Sequence, residues 1–160
     1  MFERNHPFDF DTVSTTADTD VGRTVSDNGA IWVYVKNTSA ATIAIGSSCM
    51  AEVSDAAAHP YNVEGTPTSS PCDQVVGWVQ RTALTAGAYG WVKRTGPVEV
   101  TVVAAGAMSK GARLKVSTAT AGYSVAEATA TNPAIAYLLD AIAGASTVTV
   151  TAQSLLPANS

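Results

Sequence analysis

One β phrase is written twice in this chain, and the repetition limits the fold more than any other feature. The first copy is Val75-Val76-Gly77-Trp78-Val79-Gln80, a short Ala/Thr/Gly stretch, then Tyr89-Gly90-Trp91-Val92-Lys93. The second is Ala134-Ile135-Ala136-Tyr137-Leu138-Leu139, Ala and Gly again, then Thr147-Val148-Thr149-Val150-Thr151. Each is a run of β-forming residues, a small-residue connection ending near a glycine (Gly87, Gly144), and a second such run. β-Branched and aromatic residues in alternation suit a pleated, half-buried surface. The duplication reaches further back. Trp32–Lys36, Ile43–Gly46 and Cys49–Val53 precede the first copy; Val98–Val102, Met108, Gly111 and Leu114–Val116 precede the second. Each half runs strand, turn, Gly-marked loop, strand, return phrase.

Between these landmarks the chain reads as short strands. Asp27-Asn28-Gly29 is a turn signal ahead of a strand over Ala30–Lys36. Ala41-Thr42-Ile43-Ala44-Ile45 alternates and stops at Gly46. Val98–Val102 puts Glu99 and Thr101 on one face and three valines on the other, and Ala112–Val116 turns Leu114 and Val116 inward. Only Ala134–Ala143 has a helical spacing, with Ile135, Leu138, Leu139 and Ile142 at i, i+3, i+4 and i+7; its shortness and its alignment with Val75–Gln80 select a strand. About ten strands result, with turn signals every roughly 8–12 residues, which predicts an antiparallel barrel or sandwich. The expected fold is all-β, built from two related small β units with an extended N-terminal arm and little helix. The arm covers 1–21, the first unit 22–96, the second 97–156 and a tail 157–160; the first unit contains a long polar loop, Ser54–Pro71.

A chain of 160 residues buries roughly 70% of its unfolded surface and needs no metal or disulfide to hold it. Charged residues are only 14%, against roughly 25% in ordinary soluble proteins. The large neutral surface this implies packs on other subunits with little desolvation of charge. A net charge of −4 with nine scattered basic residues argues against a nucleic-acid partner. No apolar run approaches the roughly 20 residues of a membrane helix, and no cationic, apolar leader opens the chain. Synthesis in a cytoplasm without classical export is the expectation. Cys49 and Cys72 allow one disulfide, but compartment rules favour two reduced thiols, with Cys49 buried beside Met50.

Reactive constellations are missing. His6 and His59 each precede proline, outside any metal-ligand spacing. There is no nucleophile elbow, phosphate loop or dinucleotide fingerprint, and the carboxylates are scattered singly. Asp18 and Asp20 lack the glycine and glutamate of a calcium loop. The expected protein is not an enzyme and uses no cofactor or metal. Its aromatic residues remain. Trp32, Tyr34, Trp78, Tyr89 and Trp91 read first as packing, with a stacking shelf for a sugar or partner as the alternative. All three phenylalanines, Phe2, Phe8 and Phe10, lie in the arm, which is either a frayed terminus or a device that docks them on a neighbouring subunit. His59 and Tyr61 in the long loop complete the candidate contact residues.

The phrase Gly87-Ala88-Tyr89-Gly90-Trp91-Val92, preceded by Val76–Gln80 and followed by a Gly turn and Val-x-Val-x-Val, resembles small structural proteins of tailed bacteriophages. The region Val98–Ala152, with Lys110-Gly111-Ala112-Arg113-Leu114, Ala134–Leu138 and Val148-Thr149-Val150, is similar to capsid decoration, or cement, proteins. The resemblance covers roughly residues 30–155 and rests on turn and strand spacings. It implies a β-barrel module on the outside of a virion shell, commonly a homotrimer, whose partner is the major capsid protein and whose role is to stabilise the shell. A tail or fibre component, or a carbohydrate-binding β module, is the alternative.

Overall fold

Short apolar-polar alternations separated by glycine turns cannot bury their apolar faces singly, and here they close into two barrels. The computed structural model describes residues 8–51, 61–66, 74–117, 119–127 and 133–157. Its strands are β1 (Thr24–Asp27), β2 (Ala30–Asn37), β3 (Ser48–Ala51), β4 (Asn62–Gly65), β5 (Val75–Val79), β6 (Tyr89–Lys93), β7 (Pro97–Ala104), β8 (Arg113–Val116), β9 (Ser124–Ala126), β10 (Ala136–Leu138) and β11 (Ser146–Ser154). The first barrel runs β2-β4-β3-β5-β6 and closes through β2–β6, with β1 added to the outer edge of β2. The second runs β10-β11-β7-β9-β8.

The repeat seen in the sequence is a repeat of topology. β2–β4 and β7–β9 are the parallel pairs, and every other pairing in one barrel has its antiparallel counterpart in the other. Even the isolated bridges correspond: Ile43 with Leu84 in the first barrel, Met108 with Ile142 in the second. The pairs Tyr34–Trp91 and Thr101–Thr149 occupy equivalent registers. The doubled phrase is therefore β5–β6 and β10–β11.

Three local readings change. The Asp27–Gly29 turn closes a hairpin whose first strand, β1, was not anticipated; Asn28 and Gly29 both have positive φ, which matches the twist of such hairpins. The polar Ser54–Pro71 stretch holds β4, because Val63 reaches the barrel interior. The remaining residues of that stretch, except Tyr61 and Thr66, lie outside those described. Ala41–Ile45 supplies only the Ile43 bridge.

Inside the first barrel sit Val33, Val35, Ile43, Cys49, Val63, Val76, Val79, Leu84 and Val92. Val98, Val100, Val102, Leu114, Val116, Ile135 and Leu138 fill the second. Asn37 is buried at one end of the first barrel, where its Nδ2 donates to the carbonyls of Ala41 (2.8 Å) and Leu84 (2.9 Å) and its Oδ1 accepts from Ser39 N (3.0 Å). A full set of bonds is what allows so polar a side chain to be buried. β5 is buried along its whole length because it lies between the barrels. A bulge opposite Met50 breaks its alternation, so Val76 and Val79 pack in the first barrel while Val75 and Trp78 join the cluster of the second.

The barrels hold each other through backbone atoms. Thr101 N donates to Gly46 O (2.8 Å), Ser48 N to Gly122 O (2.8 Å) and Gly122 N to Thr66 O (2.7 Å). The Gln80 amide adds a two-way bond with the Glu99 backbone, at 2.9 and 2.7 Å. Both glycines have positive φ and both press on the other barrel: a Cβ on Gly46 falls 2.6 Å from Thr101 Oγ1, and one on Gly122 falls 3.0 Å from Ser47 Cβ. Arg94 in the linker is buried and donates from Nε to Pro157 O (2.8 Å), while Ser154 Oγ donates to Arg94 O (2.6 Å). Gly46→Ala combines left-handed backbone strain with a clash at Thr101 and is expected to cost about 1–3 kcal/mol. Gly106→Ala, which meets nothing within 4 Å, should stay within about 0.5 kcal/mol of the parent. Urea unfolding of the two variants beside the parent checks both.

Candidate functional site

The outer face of β2 and β6 is the most aromatic surface among the described residues. Alternation turns Trp32, Tyr34, Tyr89 and Trp91 away from the valine-filled interior, and the antiparallel register sets Tyr34 opposite Trp91. The arm covers these rings. Phe10 stacks on Trp32 with centroids 4.7 Å apart and meets Trp91 edge-on at 5.3 Å; Phe8 meets Trp91 edge-on at 5.4 Å. Such offset and edge contacts are the favoured geometries of aromatic pairs. Val21 and Val25 complete the cover.

Polar groups fix the arm in place. The Tyr34 hydroxyl accepts from Asp18 N (3.0 Å), and burial of that ring pushes the phenol pKa up. The Arg23 guanidinium sits 4.6 Å from the Phe8 ring centre. Asp11 is paired with Arg81 at 3.4 Å, and Thr82 Oγ1 donates to Asp11 O (2.6 Å). Arg81 and Lys93 lie over the Trp32 ring, on the side of a cleft that runs between the barrels to Glu99 and Thr151. Burial, and then the nearby Arg81 charge, lower the Lys93 pKa. The Asp9 carboxyl is held below its ordinary value by the Thr12 hydroxyl and then by the Asp11 N–H.

Past the aromatic patch the arm becomes a strand partner. Ser14 exchanges both backbone bonds with Tyr89, at 3.1 and 2.8 Å, on the outer edge of β6. Val13 packs against the first barrel's cluster beside Leu84, in the space left by the missing side chain of Gly90. The sequence reading did not identify this contact. Its signal was Val13, the one branched aliphatic residue between Phe10 and Val21.

The candidate contact residues do not form one patch. Phe8 and Phe10 come together, against their own chain. Tyr61 is half-buried against the first barrel's interior cluster, away from the Phe8–Phe10 patch, and its carbonyl accepts from Lys36 N (3.2 Å). Phe2 and His59 lie outside the described residues, as do His6 and Cys72. Two of the shelf candidates are covered: Trp78 is fully buried between the barrels, and Trp91 lies beneath Phe8 and Phe10, while Tyr89 is half-buried.

Among the described residues no three His, Cys, Asp or Glu side chains gather as metal ligands. Cys49 is a free thiol, fully buried, and burial pushes its pKa to about 12. Glu127 is buried and paired with Lys115 at 3.1 Å. No helix among the described residues is long and apolar enough to cross a membrane.

No protein-family model and no curated protein matches the chain. Among solved structures, the N base of the head fibre protein gp8.5 of bacteriophage phi29 is similar, with a TM-score of 0.50 and 12% identity; the match covers 77% of this chain and 93% of that one. At that identity the likeness is one of fold.

Phe10→Ala is expected to destabilise the protein by about 1–3 kcal/mol and shift tryptophan emission to the red. Unchanged urea melts and emission would show that the arm covers nothing. In a Cys72→Ser background, Cys49 should resist alkylation at pH 8 until denaturant is added. Because its folded pKa lies above the ordinary 9.0, its contribution to stability is complete below pH 9 and declines as pH rises from there toward 12. Alkylation at the unfolded rate in native buffer would contradict the buried placement.

Proposed function

We propose that this chain is a non-enzymatic structural protein of a bacteriophage virion, carried on the outside of the head. The observation that supports it is the correspondence of its double-barrel fold with nearly the whole of the phi29 head fibre N base. The physical character of the chain agrees. Its one described thiol is fully buried, and a surface with only 14% charged residues over the whole sequence suits broad contact with other subunits.

Two versions of this role differ in what the protein does for the shell. As a decoration protein, it binds major capsid protein across subunit boundaries, as a trimer, and stabilises the shell because it binds only the assembled state. As the base of a head fibre, it seats a projecting element, and shell stability is incidental. The fibre-base version is favoured by the identity of the structural neighbour, and the decoration version by the strand and turn spacings of residues 30–155. In both versions the arm is first a part of its own barrel, since Phe8 and Phe10 already have ring partners. Contact with the shell then falls to other surfaces, with Phe2, His59 and the half-buried Tyr61 as the remaining sequence candidates.

The test is reconstitution on heads lacking the protein. Purified protein should co-sediment with heads to a saturable, symmetric occupancy, and its mass by light scattering should be that of a trimer. A decoration protein raises the melting temperature of the heads; a fibre base occupies them without doing so. Failure to associate with heads at micromolar concentration would rule out both.

A further inference from the structure

The two barrels share a topology but not a cover. In the first, residues 11–14 of the arm fill a groove between the Arg81–Gly87 loop and β6. Ser14 pairs with Tyr89, Val13 fills the space beside Leu84 and Gly90, and Asp11 meets Arg81 and Thr82. Through the equivalent bridges Ile43–Leu84 and Met108–Ile142, the same groove in the second barrel lies between residues 139–145 and β11. There it is open. It has a volume of about 280 Å³ and is lined by Ala141, Ile142, Ala143, Ala145, Val148 and Val150.

Three further differences mark this groove as a place for an added strand. β11 pairs with β10 only at Ala152–Ser154, so its outer edge from Ser146 to Val150 has no strand neighbour among the described residues. Thr151 O accepts from Leu139 N on that side, and alternation points the N–H and C=O of Thr147 and Thr149 the same way. Thr147 stands where Tyr89 stands in the first barrel. Val148 and Val150, which should be core residues, remain only partly buried. Asn37, which ties down the loop of the first barrel, is replaced by Ala104, which cannot.

We infer that the β11 edge and its apolar groove take up an extended segment of another protein by strand addition, with a small apolar side chain over Ile142 and a Lys or Arg two residues before it. The charge requirement follows from the groove. Arg81 and Thr82, which receive Asp11, are replaced by Leu139 and Asp140. The acidic arm of a second copy would meet Asp140 and be repelled, whereas a basic residue would pair with it. Main-chain bonds then supply affinity and the groove supplies selectivity, as in other strand-addition complexes. The inference stands on the barrel itself and holds whichever assembly the protein serves.

The probe is a synthetic peptide of residues 10–16 carrying Asp11→Lys, titrated into the full-length protein and followed by amide chemical shifts. The expected perturbations centre on Ile142, Ala143, Thr147 and Val148, with slowed exchange of the Thr147 amide. The unmodified peptide should bind about threefold to fivefold more weakly, the range of an exposed charge pair. Thr147→Pro, which removes the donor at an edge position that tolerates proline, should abolish binding, and Asp140→Lys should reverse the preference between the two peptides. No shifts at millimolar peptide, shifts confined to Tyr89 and Gly90, or an unchanged preference in Asp140→Lys would overturn the inference. So would the same shifts on raising protein concentration alone, which would make a second copy the occupant.

Discussion

A five-stranded barrel encloses a narrow interior, and that size limit decides where the large rings of this protein go. Barrel width grows with strand number, and about eight strands are needed before large side chains or a ligand fit comfortably inside. The buried interior cluster of the first barrel accordingly holds valines, Leu84, Ile43 and Cys49 and, among the described residues, no fully buried aromatic ring. Trp32, Tyr34 and Trp91 are placed outside, where they would be an exposed apolar patch without the arm. Trp78 finds its place between the barrels. The arm, the hairpin strand β1 and the close junction of the two barrels all follow from the need to cover rings that a small barrel cannot contain.

Much of this was legible in the sequence, and for a physical reason. Period-2 alternation ended by glycine is a local signal, so β2, β5, β6, β7, β8 and β11 could be placed from their own residues. The duplication was legible because equivalent strands fill equivalent narrow interiors and so repeat their valine spacing. The packing of Trp32, Tyr34, Trp78 and Trp91 was also correctly read as structural. The destination of Phe8 and Phe10 was not legible, because the arm has no periodicity and the rings they meet lie far along the chain in Trp32 and Trp91. β4 was hidden for a similar reason. Only Val63 of that short strand is fully buried, and its parallel pairing with Lys36 and Asn37 leaves no mark in the local sequence.

The two barrels have in common what the fold demands and differ in what each copy carries. Shared pairings and bridges define the barrel; differences at matched positions define its use. Thr147, Val148 and Thr149 stand where the first barrel has Tyr89, Gly90 and Trp91, and among the described residues one edge is closed by the chain's own arm while the other has no strand neighbour.

The arm has a consequence for how the molecule is made. Residues 8–21 leave the ribosome before any strand of the barrel, yet the surface they pack on is not finished until β6 ends at Lys93. Phe8 and Phe10 must therefore remain unsheltered while more than half of the chain is synthesised. Contacts so distant in sequence form late and slow the search for the native state. During that interval the exposed rings are open to capture by other nascent chains or by a chaperone. The last stitch of the first barrel is made with thread spun before any of its strands.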